Sequence, residues 1–288
     1  MKLRKQSIYL AVIGLLIGLF GGYYYADHYN RTGGSAAGRA STQPTSSQMP
    51  PGHPEIPQVS PEQIAAAIKN AESNPKDFDV QVATARLLYQ ANRYDEAIKL
   101  YERANELRPD DYDTIVQLGN THFDLALNEA QQQSTEHSSR HFLEAAAWYE
   151  KALEKNPNDV NVRTDYGLTY YYRRPQDLNK AIAQYNRSLE IQPNHSQTLA
   201  NLTTALAEQG KISEAQSMLA KLEQQAAGTP LLAQTLYNFT QALMSQGKWA
   251  EAKTTLAKLE QIVPGDPVIT QLRQDIDAQR KGTQIQPH

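Results

Sequence analysis

Apolar and polar positions are arranged in three different ways along this 288-residue chain. From Gln6 to Ala26 there is no charged residue, and Ile8 to Tyr25 is almost wholly apolar. At about 1.5 Å rise per residue such a run, with its flanks, can cross a hydrocarbon core of about 30 Å. Residues 31–60, RTGGSAAGRASTQPTSSQMPPGHPEIPQVS, lack both helical and strand periodicity. So polar a segment cannot bury enough surface to fold alone and reads as a disordered spacer, stiffened locally by Pro50, Pro51, Pro54 and Pro57. From Ser60 onward apolar positions recur at helical spacing. Ser60-Pro61-Glu62 offers a cap, a first-turn proline and an early acid, so a short helix over Ile64 to Ala71 is expected.

The N-terminal run carries orientation signals. Lys2, Arg4 and Lys5 precede it, which places the N-terminus in the cytoplasm, and Tyr23, Tyr24 and Tyr25 suit a membrane interface. Residues 1–30 thus read as a basic flank and uncleaved transmembrane anchor, with the remainder in the periplasm of a Gram-negative bacterium. The rival reading is a cleaved signal peptide, but the nearest small-residue site, Ser35-Ala-Ala37, lies well beyond the apolar run. Gly14, Gly18 and Gly22 recur every four residues, a strip on which a second helix could pack, giving a homo-oligomer or a contact with another membrane subunit. Glycine is also simply frequent in membrane helices.

Beyond the spacer the helical pattern repeats with a period of about 34 residues. Tyr94-Asp-Glu-Ala97…Tyr101…Ala104 ends at Pro109; Phe142-Leu-Glu-Ala145…Tyr149…Ala152 ends at Pro157; Leu178-Asn-Lys-Ala181…Tyr185…Ser188 ends at Pro193. Trp249-Ala-Glu-Ala252…Leu256…Leu259 ends at Pro264, and Ile212-Ser-Glu-Ala215…Leu219 is a divergent copy. Each reads as the second helix of a pair. Leu118-Gly119, Tyr166-Gly167-x-x-Tyr170 and Leu202…Leu206 mark the first helices, and Gly210 and Gly247 fall at the turns between.

This pattern resembles the tetratricopeptide-repeat (TPR) family over about residues 78–265. The resemblance implies an all-α solenoid of helix–turn–helix units, here preceded by a transmembrane helix and a flexible linker. About five units follow a capping helix at 61–77, and a second cap at 266–280 and a tail at 281–288 close the chain. Alanine at 97, 145, 181, 215 and 252 lets paired helices approach, and the large residue four positions on fills the space between pairs. Two departures stand out. The second unit carries about fourteen residues beyond the ~34-residue period, near 127–140, so either its helices lengthen or a polar loop projects. The third carries about two extra residues near Arg173–Asp177 relative to the same period.

Composition narrows the chemistry. Net charge is -3 and there is no cysteine, so a basic nucleic-acid face, zinc–thiolate sites and disulfides are excluded. No nucleotide-binding or hydrolase motif occurs, and neither enzyme activity nor a cofactor is expected. His137 and His141, with Glu136, could clasp a metal if helical, but they fall in the Ser- and Gln-rich insertion and read as solvated; His122 reads as a packing residue.

In the family, first helices line a groove that binds proteins or peptides. The register places Arg86, Tyr89, Asn120, Phe123, Asp124, Tyr171, Tyr172, Gln197, Thr204, Tyr237 and Gln241 there, although the tyrosines could instead complete packing between units. The places that carry clamp lysines in some TPR adaptors hold Val82, Val116, Thr164, Ala200 and Tyr237, none of them basic. The layout of anchor, linker and external repeats, and the stretch Asn158 to Gly167, look like the periplasmic TPR subunits of cytochrome c maturation systems. That resemblance implies an apocytochrome or another envelope-assembly subunit as partner, with secretion, pilus or envelope biogenesis as alternatives.

Overall fold

The computed structural model describes residues 60–132 and 134–279. The expected anchor at 1–30 with Gly14, Gly18 and Gly22, nearly all of the 31–60 spacer, and the tail lie outside the described residues. Among the described residues no helix is long and apolar enough to cross a membrane.

Twelve helices and no strand occur among them: α1 Pro61–Ser73, α2 Phe78–Gln90, α3 Tyr94–Leu107, α4 Tyr112–Gln131, α5 Thr135–Lys155, α6 Val160–Tyr172, α7 Leu178–Ile191, α8 Ser196–Glu208, α9 Ile212–Gln225, α10 Pro230–Ser245, α11 Trp249–Ile262 and α12 Pro267–Asp277. Helices α2 to α11 pair in order, with α1 packed on α2 and α12 on α11.

The two helices of a pair begin differently, for a local reason. Most first helices follow an open connection and need a side-chain cap. Asp77, Asp111, Asp159 and Thr229 supply it to α2, α4, α6 and α10, while Ser60 and Gln63 form a reciprocal capping box on α1. Helices α3, α9 and α11 have no such cap. The chain enters each through a left-handed residue, Asn92 (φ 57°), Gly210 (φ 82°) or Gly247 (φ 72°). The next amide then bonds back into the first helix: Arg93 to Leu88 O, Lys211 to Leu206 O and Lys248 to Leu243 O, each at 2.9 Å.

Ala97, Ala145, Ala181, Ala215 and Ala252 are all completely buried, and so are Tyr101, Tyr149 and Tyr185. Two tyrosines press against a glycine of the facing helix. A Cβ on Gly119 would stand 2.6 Å from Tyr149 Cε1, and one on Gly167 would stand 2.5 Å from Tyr185 Cε1. The fourth and fifth units, with Leu219 and Leu256 instead, tolerate Thr203 and Thr240 at the glycine position.

The insertion is helical. Helices α4 and α5 run to 20 and 21 residues, against 13 and 14 for α2 and α3. Ser138, His141, Phe142 and Ala145 continue one buried stripe, so the polar-looking segment extends the pair by about two turns. His141 is therefore a buried helical residue, not a solvated loop residue, while His137 stays exposed. The lengthened pair meets the third unit's variant turn, where the Arg174 amide donates to Ser139 Oγ at 3.1 Å.

Candidate protein-binding face

Helices α2, α4, α6, α8 and α10 present the residues selected by repeat register. Two links of the same kind join neighbouring units across them. Tyr89 of α2 donates its hydroxyl to Asp124 of α4, and Tyr171 of α6 donates to Glu208 of α8. Asp124 and Glu208 occupy the same place in their repeats, five residues after Gly119 and Thr203 respectively.

The named residues separate into two groups. Arg86 is exposed, and Tyr89, Asp124, Tyr171, Tyr172, Gln197, Tyr237 and Gln241 are half-buried. Asn120, Phe123 and Thr204 are buried, at 4%, 3% and 8% exposure, which corrects their assignment to an accessible groove. Asn120 Oδ1 accepts the Tyr149 hydroxyl at 2.9 Å. Phe123 meets Phe142 and Tyr172 edge-on, with centroids 5.4 and 6.1 Å apart, and Thr204 bonds back to Ala200 O at 3.1 Å. Tyr172 also stacks on Phe142 (6.0 Å), so one side of this tyrosine completes inter-unit packing. The amides hold local geometry: Gln197 donates to Asn201 at 3.0 Å and Gln241 to the Tyr237 hydroxyl at 2.5 Å.

The electrostatics follow from burial. Asp124 is pushed up to about 7 by desolvation, against the lowering effect of the Tyr89 bond. Burial, and then the charge of Asp124, carries Tyr94 to about 12. On the lengthened pair, His122 Nδ1 and His141 Nδ1 lie 3.0 Å apart, so one ring must donate and the other accept. Burial lowers both; His122 falls to about 4, with the charges of His141 and Arg140 adding to the effect. Among the described residues no group of three His, Cys, Asp or Glu side chains could hold a metal ion.

Glu208 and the histidine pair were not selected from the sequence as site residues. The register that picks out Asp124 also picks out Glu208, whereas nothing in the sequence pairs His122 with His141 until α5 is known to be helical through residue 141.

Two family models match, one described as a TPR repeat over residues 85–125 and one as a tetratricopeptide repeat over 173–237. The chain thus carries tetratricopeptide repeats over these two stretches. Among solved structures, this TPR chain is similar to YrrB, described as a TPR protein with an unusual peptide-binding site. The two share 21% identity, with 73% of this chain and 99% of that one covered and a TM-score of 0.52, a likeness of fold. A protein of Thermus thermophilus described as a thermophilic TPR protein is similar at 19% identity over 70% of this chain and 98% of that one, with a TM-score of 0.48. Protein O-mannosyl-transferase TMTC3 of Homo sapiens is 29% identical over 161 residues. That match covers 54% of this chain, and the chain spans about 15% of that relative's length. TPR units are stacked interaction modules whose extended surfaces bind proteins or peptides.

Proposed function

We propose that the chain is a membrane-anchored adaptor of the bacterial cell envelope, whose first-helix face holds a protein or peptide partner during assembly. The observation that carries the partner reading is the partly exposed set Arg86, Tyr89, Tyr171, Gln197, Tyr237 and Gln241, which lies on the first helices of the first, third, fourth and fifth units. Aromatic rings bury area at little entropic cost, and amides satisfy an extended backbone. YrrB, a fold relative described as having a peptide-binding site, supports the same use of the fold.

The anchor rests on the uncharged run from Gln6 to Ala26 behind Lys2, Arg4 and Lys5. It puts the chain in the inner membrane as a single-pass protein with the repeats in the periplasm. The process we favour is cytochrome c maturation, supported by the likeness of layout and of residues 158–167. The protein would there hold an apocytochrome or a partner subunit and carry out no chemistry itself.

Deletion of the gene tests the process. Loss of covalently bound haem from c-type cytochromes, with other envelope assemblies intact, is the expected result; normal haem staining excludes it. Extraction tests the anchor. The full chain should stay with membranes in alkaline carbonate, and release into the supernatant removes the anchor from the account.

A further inference from the structure

Tyr185 is completely buried, and among the described residues no hydrogen-bond partner reaches its hydroxyl. Its counterpart one unit earlier, Tyr149, donates to Asn120. The residue of the third unit that matches Asn120 is Leu168, which offers nothing to bond. The Tyr185 ring lies on Gly167 as Tyr149 lies on Gly119, so its hydroxyl is aimed at the same first-helix face. Burial, and then the charges of Tyr172, Asp165 and Glu208, hold that hydroxyl well above the ordinary tyrosine range.

Among the described residues Glu208 has no ion-pair partner in direct contact. Its carboxylate accepts from the Tyr171 hydroxyl and, at 3.4 Å, from the Gln176 amide. Arg174 acts on it only through space, since its guanidinium donates to the carbonyls of Tyr172 and Arg173 at 3.2 and 3.3 Å. The arrangement thus combines a held carboxylate, an orphaned hydroxyl and two phenol rings.

We propose that Tyr171, Tyr172, Tyr185 and Glu208 form a cation subsite on the binding face, which takes a lysine ammonium or an arginine guanidinium from an extended segment of the partner. The inference rests on the first-helix face being the binding surface. A cation would give Glu208 its counter-charge, offer the Tyr185 hydroxyl the donor it lacks and lie against the exposed part of Tyr171. The non-basic residues at the clamp places, Val82, Val116, Thr164, Ala200 and Tyr237, fit a partner read through its cations and not through a terminal carboxylate.

The test uses the full chain and a positional-scanning decapeptide library, in which each pool fixes one residue type at one position of an otherwise mixed sequence. Pools fixing Lys or Arg should be retained about tenfold over pools fixing Glu, the scale of one charge-assisted hydrogen bond. Glu208→Gln keeps an acceptor for Tyr171 and should erase that selection. Tyr185→Phe should weaken it about threefold, and should not lower the thermal midpoint because no internal bond is lost. Selection of acidic or apolar pools, or Lys and Arg selection unchanged in Glu208→Gln, overturns the subsite while leaving the face. Retention of no pool removes the face itself and the subsite with it.

Discussion

Tyr149 reaches across its helix pair to donate a hydrogen bond to Asn120 at 2.9 Å, with both residues buried. Removing the hydroxyl leaves the Asn120 oxygen buried without a donor, which costs about 1–3 kcal/mol. Tyr149→Phe should lower the stability of the repeat domain by that amount. Tyr185→Phe, at the matching position, removes a hydroxyl that has no partner and should leave stability unchanged or raise it. Urea unfolding of the two variants in parallel reads the contrast, and equal losses would contradict it.

The glycines under these rings make a second prediction. Gly167→Ala places a Cβ 2.5 Å from Tyr185 Cε1, and that ring is completely buried. Overpacking of this kind costs about 1–3 kcal/mol. In a Tyr185→Leu background the same Gly167→Ala change should be nearly neutral, as the Leu219 and Leu256 units, which carry threonine there, indicate. A double-mutant cycle with no coupling between the sites would refute the ring-on-glycine explanation.

Acid and base act in opposite senses on two desolvated groups. Asp124 is raised from 3.8 to about 7 in the folded state, so its contribution to stability is full below about pH 4 and is lost as pH rises towards 7. Asp124→Asn keeps an acceptor for Tyr89 and should remove this decline. The thermal midpoint of the variant should exceed that of the parent at pH 8 and approach it at pH 4.5. A parent advantage at pH 8 would contradict the assignment.

His122 gives the opposite window. Its folded value is depressed from 6.5 to about 4, so its contribution is present above about pH 6.5 and is lost as pH falls towards 4. His122→Leu, which puts at this place the residue found in the first, fourth and fifth units, should lessen the loss of thermal midpoint between pH 7 and pH 4.5. Titration of both histidines by NMR checks the cause directly. Ordinary values near 6.5 for both would remove it.

The repeat core could be read from the sequence because its residues follow one physical rule. Ala97 and its four counterparts must be small, Tyr101 and its counterparts must be large, and a proline follows four of the five second helices. The groove was less legible. Register alone cannot separate Tyr89, which is half-buried, from Phe123, which is buried at the same repeat position against Phe142 and Tyr172. The segment Gln131–Ser139 fits a loop or an exposed helix equally well by polarity, and only the burial of Ser138 and His141 on one stripe decides between them.

The central claim is that first helices, not second helices, hold the partner. Site-specific photocrosslinking in living cells tests it, with a photoreactive residue placed at Arg86, Gln197 or Gln241 on the first-helix face, or at Leu143 on α5, which is 51% exposed. The account predicts one discrete adduct shared by the first-helix positions and none from Leu143. An adduct from Leu143 alone, with the first-helix positions silent, would contradict it and move recognition to the lengthened pair.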